Sequence, residues 1–600
     1  MTYGSLNPNN HAAQTLSNEP AFAPVWLHSL GNWKMAFTDK LPHELIVRIL
    51  EFCDWKGMLR LSQTCKICRQ LVRRSKVFEL HSELQANGYQ LSVKGLRRNE
   101  AGDIKKLLDE FQRFRDGWLY LKFGKSLILD SADPDMRLYE LRQGYYAAAL
   151  SSSYTQPGMV KLTDLHLGTS TKLCLGVQFS EFQIDPSQEL IVLVAIESHV
   201  TERSSIHLRS SITGQPYDAA SHPDWTVQLP FHMERRSSGI FIEVMDELLA
   251  VKYVCFEKNL SDILIWNWKA GVLLNRVECL GMSCTFGFLS PDSLILFQSI
   301  TDSGVNMLVY TDIRSPSSLS HDSGAEFVIS DYPIANPCFE FAFPEFPEGA
   351  SAYLLMRGEP APTLGSTGPA MFMPMPTSRV IQLSMSIIQR SGPERGLRQY
   401  QIFLSKPRLL KCIASHCGLV DSDDESPVQI PWEKWGEHTT RWFATSVAMS
   451  PWICRTEQPL EYLSVLEFHE PAIRRMADLG CDKHLSMWSS EGARQHIDWN
   501  SPDEVLEYFV NTLRSKSNTP MEEDAVFVDI IDENVPSYTP FNKQTIITRL
   551  PYRIVTRRRP VPKHSGWMMD NNLIIGMPTW QGDELEHMQN EHMTIFTPMA

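Results

Sequence analysis

Cys65 and Cys68 carry the Cys-x-x-Cys spacing that serves either dithiol redox chemistry or one half of a zinc site. A zinc ribbon needs a second such pair, and none follows at the usual distance. Both thiols fall on the apolar side of a helical pattern, where free cysteine packs as a small hydrophobe. Cys412, His416 and Cys417 also lie close together, but without a fourth donor nearby they read as a strand end followed by a loop. Glycine-rich phosphate loops, His-Glu-x-x-His helices and Gly-x-Ser-x-Gly elbows do not occur. The 70 acidic residues single out no pair for acid–base work. The reading is therefore no metal, no cofactor and no catalytic residue.

Two other side-chain groupings could meet a macromolecule. Arg73-Arg74 and Arg557-Arg558-Arg559 could touch an acidic partner or simply be solvated surface. Trp225, Trp432, Trp435 and Trp442, in the stretches WTVQLPFHM and PWEKWGEHTTRWF, are candidates for docking a substrate protein. Their alternative role is core packing.

Composition narrows the setting. The chain has 600 residues, 43% hydrophobic and 21% charged, with a formal net charge of −14. That length exceeds the usual single domain. The negative balance argues against nucleic acid as the main partner. No apolar run is long enough to cross a bilayer, and no secretory pattern opens the chain. The 12 cysteines, scattered without a framework, read as reduced thiols. The expected location is cytoplasm, nucleus or both.

The stretch from Leu41 to Phe78 must position something. Leu41-Pro42 suits a helix start, because proline's missing N–H would be unpaired there anyway. Leu45, Ile46, Ile49, Leu50 and Cys53 then follow one helix face. Asp54 is placed to cap a second helix carrying Met58, Leu59 and Leu61. Cys65, Cys68, Leu71 and Val72 form a third stripe. Three short helices in about forty residues cannot bury their own core, so a partner should complete them.

This pattern resembles the F-box, the adaptor-binding motif of substrate receptors in Skp–cullin–RING ubiquitin ligases. Leu41-Pro42, Glu44-Leu45, Ile49-Leu50, Leu59, Leu61-Ser62 and Cys65-Lys66 carry the likeness without gaps. The chain departs from the family at Lys56, where proline is frequent, and at Cys68, where an aromatic is usual. Gly57 weakens its helix by roughly 1 kcal/mol relative to alanine. The resemblance assigns Leu41, Pro42, Leu45, Ile46, Ile49, Leu50, Met58, Leu59 and Leu61 to the adaptor-binding surface.

Around this unit, residues 1–35 lack any period and read as a disordered tail, although Trp26, Leu27, Leu30 and Trp33 could form a short helix. The F-box spans 36–80. Residues 81–139 read as a helical linker, with Ile104, Leu107, Leu108, Phe111 and Trp118 on one helix face.

From about 140 to 600 the period falls to two, and short apolar runs alternate with turn formers. One plan recurs: a strand ending in an acidic or Asn turn, then an apolar strand. Examples are Phe182–Pro186 before Leu190–Ile196 and Val244–Asp246 before Leu248–Val254. Phe286–Asp292 before Leu294–Phe297 and Trp567–Asp570 before Leu573–Gly576 repeat it. Ile263–Gly271 is similar to the close of a WD-type blade. Such repeats predict a β-propeller of about six to eight degenerate WD-like blades. Insertions are expected near 361–378, 421–426 and 514–524, and a helix near SPDEVLEYFVNTL.

F-box, helix and degenerate propeller in this order resemble the fungal F-box proteins with WD-like C-terminal regions. The implied fold class is α plus all-β multidomain, a three-helix F-box and linker helices followed by a propeller. The implied role is non-enzymatic: the F-box docks a Skp-type adaptor, and through it a cullin–RING ligase, while the propeller binds an unknown target. Two alternatives remain at this stage, a propeller scaffold unrelated to ubiquitin and a propeller enzyme with a helical appendage.

Overall fold

The computed structural model describes Leu45 and residues 55–597 with gaps, the longest being 316–325, 358–369, 474–525 and 578–591. The expected tail 1–35, the insertion 514–524, most of 421–426 and the helix near 501–513 lie outside the described residues. The chain divides into two units, Met1–Glu79 and Leu80–Ala600.

In the first unit, helix α1 (Trp55–Thr64) is followed by α2 (Lys66–Arg74). Met58 and Cys68 are buried at 1% and 2% exposure, so Cys68 packs as a hydrophobe. Thr64 ends α1 by turning its Oγ1 back onto the Leu61 carbonyl at 2.7 Å. Arg73 and Arg74 close α2, where cations suit the negative end of the helix dipole. Helix α3 (Lys76–Ala86) then runs across the boundary between the units.

The second unit begins with the end of α3, a short strand (Tyr89–Leu91), α4 (Val93–Glu100) and α5 (Ile104–Leu119). The apolar face expected of α5 is the buried one: Leu107, Leu108 and Phe111 are in the core, joined by Phe114. Against that face lies Phe372, 4% exposed, 5.1 Å from the Phe111 ring and 5.5 Å from that of Phe114. Phe372–Pro374 is a strand paired antiparallel with Tyr89–Leu91. Part of the expected 361–378 insertion is therefore a packed strap, because its Phe-Met pair finds an apolar face to cover. Phe372→Ala should cost about 3–5 kcal/mol. Hydrogen exchange across α5 should speed up while exchange in the sheets does not; equal protection in the variant would count against the strap.

The rest of the unit is a ring of sheets. Among the described residues, seven sheets of four or five strands follow one another. Their first strands, blade by blade, are Met136–Arg142, Glu181–Asp185, Ser238–Met245, Cys284–Ser290, Ala350–Arg357, Ile453–Cys454 and Gly566–Asp570. The first strands of blades 1 to 5 lie each against the next, as do those of blades 6 and 7, which puts them innermost.

Apolar side chains on both sheet faces bind each blade to the next. Ile184 and Leu193 meet Ala149 between blades 1 and 2; Trp225 meets Trp266 between blades 2 and 3. Ile265 with Leu296 continues the series between blades 3 and 4, as do Phe297 with Leu383 between blades 4 and 5, Phe403 with Tyr552 between blades 5 and 6, and Val555 with Ile574 between blades 6 and 7. The last blade packs on the first through Leu573 and Ile575 against Tyr146 and Ala148. The ring is closed. It is a β-propeller.

Closure also runs through hydrogen bonds. The strand Leu127–Asp130 pairs with His592–Phe596 and becomes the outer strand of blade 7. Strands from the two ends of the β region thus share one sheet, leaving no free edge between them. The Gly144 N–H, in the first turn of blade 1, donates to the buried Asp570 carboxylate of blade 7. The sheet region accordingly starts before residue 140.

Two blades depart from a simple meander. In blade 6 the chain forms the outer strand Val526–Ile531 before the third strand Tyr552–Arg558. Between them a hairpin, Ser537–Phe541 with Gln544–Thr548, inserts Phe541 and Ile546 into the core shared by blades 4 and 5. In blade 5 the chain leaves after its third strand for α6 (Lys406–His416) and α7 (Trp432–Thr439). Ser405 caps α6 by accepting from the Arg408 N–H, with proline in the first turn. The expected strand end at Cys412 is thus helix.

Candidate functional site

The residues assigned to an adaptor surface divide by what the structure places. Leu45 is helical and 49% exposed. Leu61 is half-buried. Met58, at 1% exposure, is a correction: it points into the helical core and cannot meet a partner. Leu59 lies within α1, but its side chain is outside the description, as are Leu41, Pro42, Ile46, Ile49 and Leu50. Arg73 and Arg74 are exposed.

Three of the four tryptophans are also corrected. Trp225, Trp435 and Trp442 are 2%, 3% and 1% exposed. Trp225 stacks on Trp266 at 6.0 Å and meets Phe327 edge-on. Trp435 donates its indole N–H to the Ala342 carbonyl at 3.1 Å, anchoring α7 on blade 4. Trp442 lies between Tyr400 and Phe541. Trp432, half-buried, completes the same aromatic cluster 5.1 Å from Trp435 and folds over Gly436, where any Cβ would collide with its ring. Their rings bury more area as packing than a docking face would leave them.

The exposed apolar side chains stand elsewhere. Tyr139 (45%), Phe241 (46%), Tyr353 (51%) and Leu355 (45%) sit on the innermost strands of blades 1, 3 and 5. Sequence reasoning missed them, because an apolar residue in a period-two strand reads as core. Beneath them runs a polar seam. Glu140 of blade 1 accepts the Ile184 N–H of blade 2 at 3.0 Å, and Arg142 donates to the Val244 carbonyl of blade 3 at 2.7 Å.

Burial raises the Glu140 carboxyl to about 8, against the lowering pull of Arg142 and its hydrogen bonds. The group is neutral in the fold at pH 7 and ionised in the unfolded chain. Its contribution is therefore complete below about 4.5 and is lost as pH rises toward 8. Glu140→Gln should melt above wild type at pH 8 and level with it near pH 4. Parallel melting curves across that range would contradict the assignment.

Cys412, His416 and Cys417 make local contacts at the end of α6, with Cys412 Sγ 3.9 Å from His416 Nδ1. His416 Nδ1 is 2.8 Å from the Cys412 carbonyl, and Cys417 Sγ bonds the Ile413 carbonyl at 3.3 Å, all within one helical turn. Among the described residues no three His, Cys, Asp or Glu side chains converge to hold a metal. No described helix is long and apolar enough to cross a membrane.

Comparison with known proteins supplies one family and two structures. The F-box domain family matches residues 39–80. No curated protein matches the chain. Among solved structures, the β-propeller domain of the Trilobed protease from Pyrococcus furiosus, described as having open velcro topology, aligns at 8% identity. It covers 58% of this chain and 92% of its own, with a TM-score of 0.22. The polysaccharide lyase Uly1 aligns at 7% identity over 78% of this chain and 91% of its own, with a TM-score of 0.28. The propeller assignment rests on the closed ring of sheets. Residues 39–80 are an F-box domain, the mark of a Skp–cullin-type adaptor role, followed along the chain by linker helices and a β-propeller.

Proposed function

We propose that this chain is the substrate-recognition subunit of a Skp–cullin–RING ubiquitin ligase. The observation that carries the reading is the F-box at 39–80, with Leu45 held in solvent on its helix. On this reading Leu41, Pro42, Leu45, Ile46, Ile49, Leu50, Leu59 and Leu61 dock a Skp-type adaptor. The target protein docks on the propeller, where Tyr139, Phe241, Tyr353 and Leu355 replace the buried tryptophans as the candidate contacts. The chain itself does no chemistry. Transfer takes place between a charged E2 and the target, and the receptor raises its rate by holding the two together. Such a subunit works in the cytoplasm or nucleus.

The experiment is capture of the tagged chain from proteasome-inhibited cells, in parallel with Leu41→Ala/Pro42→Ala. Targets are proteins that bind both forms but carry ubiquitin in the wild-type sample alone. Captured partners with identical ubiquitin content in both samples would instead support a scaffold unrelated to ubiquitin.

A further inference from the structure

Beside the exposed Phe241 ring, blades 3 and 4 meet over two thiols that adaptor and target binding leave unused. Cys279 lies near the end of the outer strand of blade 3 (Val272–Leu280), and Cys284 opens the first strand of blade 4. They are 1% and 6% exposed. Ser261, the cross-strand partner of Cys279, brings its Oγ to 3.4 Å from Cys284 Sγ. Lys252 Nζ stands 3.5 Å from the same sulfur, is anchored on the Cys284 carbonyl at 2.5 Å, and lies 4.4 Å over the Phe241 ring. Cys279 and Cys284 lie in the same buried cluster between the two blades. Lys252 Nζ and Ser261 Oγ thus both meet the Cys284 sulfur. Interaction with Cys279, aided by Lys252 and Ser261, draws the Cys284 thiol down to about 6 against its burial, while Cys284 and burial hold Cys279 high.

We infer that Cys279 and Cys284 are a reversible disulfide couple joining blades 3 and 4, with Cys284 the nucleophile toward a peroxide and Cys279 the resolving thiol. The Cys284 thiolate attacks one peroxide oxygen and the O–O bond breaks. The released hydroxide takes up a proton as water, leaving a sulfenic acid on Cys284. The Cys279 sulfur then attacks that sulfenic sulfur, its S–O bond breaks, and a second water leaves. Two thiols and one peroxide give one disulfide and two waters. A dithiol reductant reverses the bond by exchange.

The test uses the full reduced chain, treated with hydrogen peroxide, alkylated with iodoacetamide and digested with trypsin. The peptide Val277–Arg314 holds both cysteines and no other. The expected result is a peptide lighter by two hydrogens that takes no alkyl group until dithiothreitol is added. Cys279→Ser should stop at a Cys284 sulfenic acid that dimedone captures, and Lys252→Met should slow oxidation by about tenfold. Should either variant fail to fold, the rate in the wild-type folded chain against the same chain in urea decides. Full alkylation of both cysteines after peroxide has oxidised the exposed Cys174 and Cys417 would overturn the inference. So would a bond that forms no faster in the folded chain than in urea.

Discussion

Removing residues 560–600 is expected to leave the propeller unfolded and the protein insoluble. The deletion takes away three strands of blade 7 and strands Leu127–Asp130 without a partner. Trp567, Leu573, Ile574, Ile575, Met577, Met593, Ile595 and Phe596 are all 5% exposed or less. Burying each such side chain contributes roughly 1.5–3 kcal/mol, so together they match or exceed the about 5–15 kcal/mol that holds a domain folded. Blade 1 would also face water with Tyr146, Ala148 and Leu150, and Gly144 would lose the Asp570 carboxylate. A truncated chain that stays soluble and keeps its melting temperature would show that the ring does not depend on its closure.

Leu41→Ala combined with Pro42→Ala should weaken adaptor capture by on the order of a hundredfold or more, since two buried apolar contacts are lost. Leu45→Asp should do at least as much, because it puts a charge on a helix side chain that is already exposed and would be desolvated on docking. Melting of the propeller should be unchanged, as these residues lie in the first unit while the sheets lie in the second. Isothermal titration with purified adaptor, alongside melting curves, checks both halves. Loss of binding together with loss of propeller melting would point to general destabilisation instead.

What the sequence discloses depends on how much period each element carries. The inner hairpins at Phe182–Ile196, Val244–Val254, Phe286–Phe297 and Trp567–Gly576 were legible, since an apolar run, an acidic turn and a second run fix both strands and their antiparallel pairing. The face of α5 was legible for the same reason. The closing strand Leu127–Asp130 was not. Four residues with Ile128 60% exposed carry no readable alternation, and the pairing partner lies at the other end of the β region. Helix α6 was missed although Ser405 and Pro407 announce its start, because the preceding strand Gly396–Ser405 runs directly into it. The tryptophans were misplaced by type: a docking aromatic and a packing aromatic look alike until the neighbours are known. Met58 was misplaced likewise, since membership in an amphipathic stripe does not say which of its residues turn inward.

The central claim is that the helical unit exists to hold a Skp-type adaptor. Its most direct test is to mix the purified full-length chain with purified adaptor at micromolar concentration and follow the pair by size-exclusion chromatography with light scattering. The account predicts a one-to-one complex that Leu41→Ala/Pro42→Ala abolishes. A wild-type chain that elutes apart from the adaptor, with its propeller folded, would contradict it.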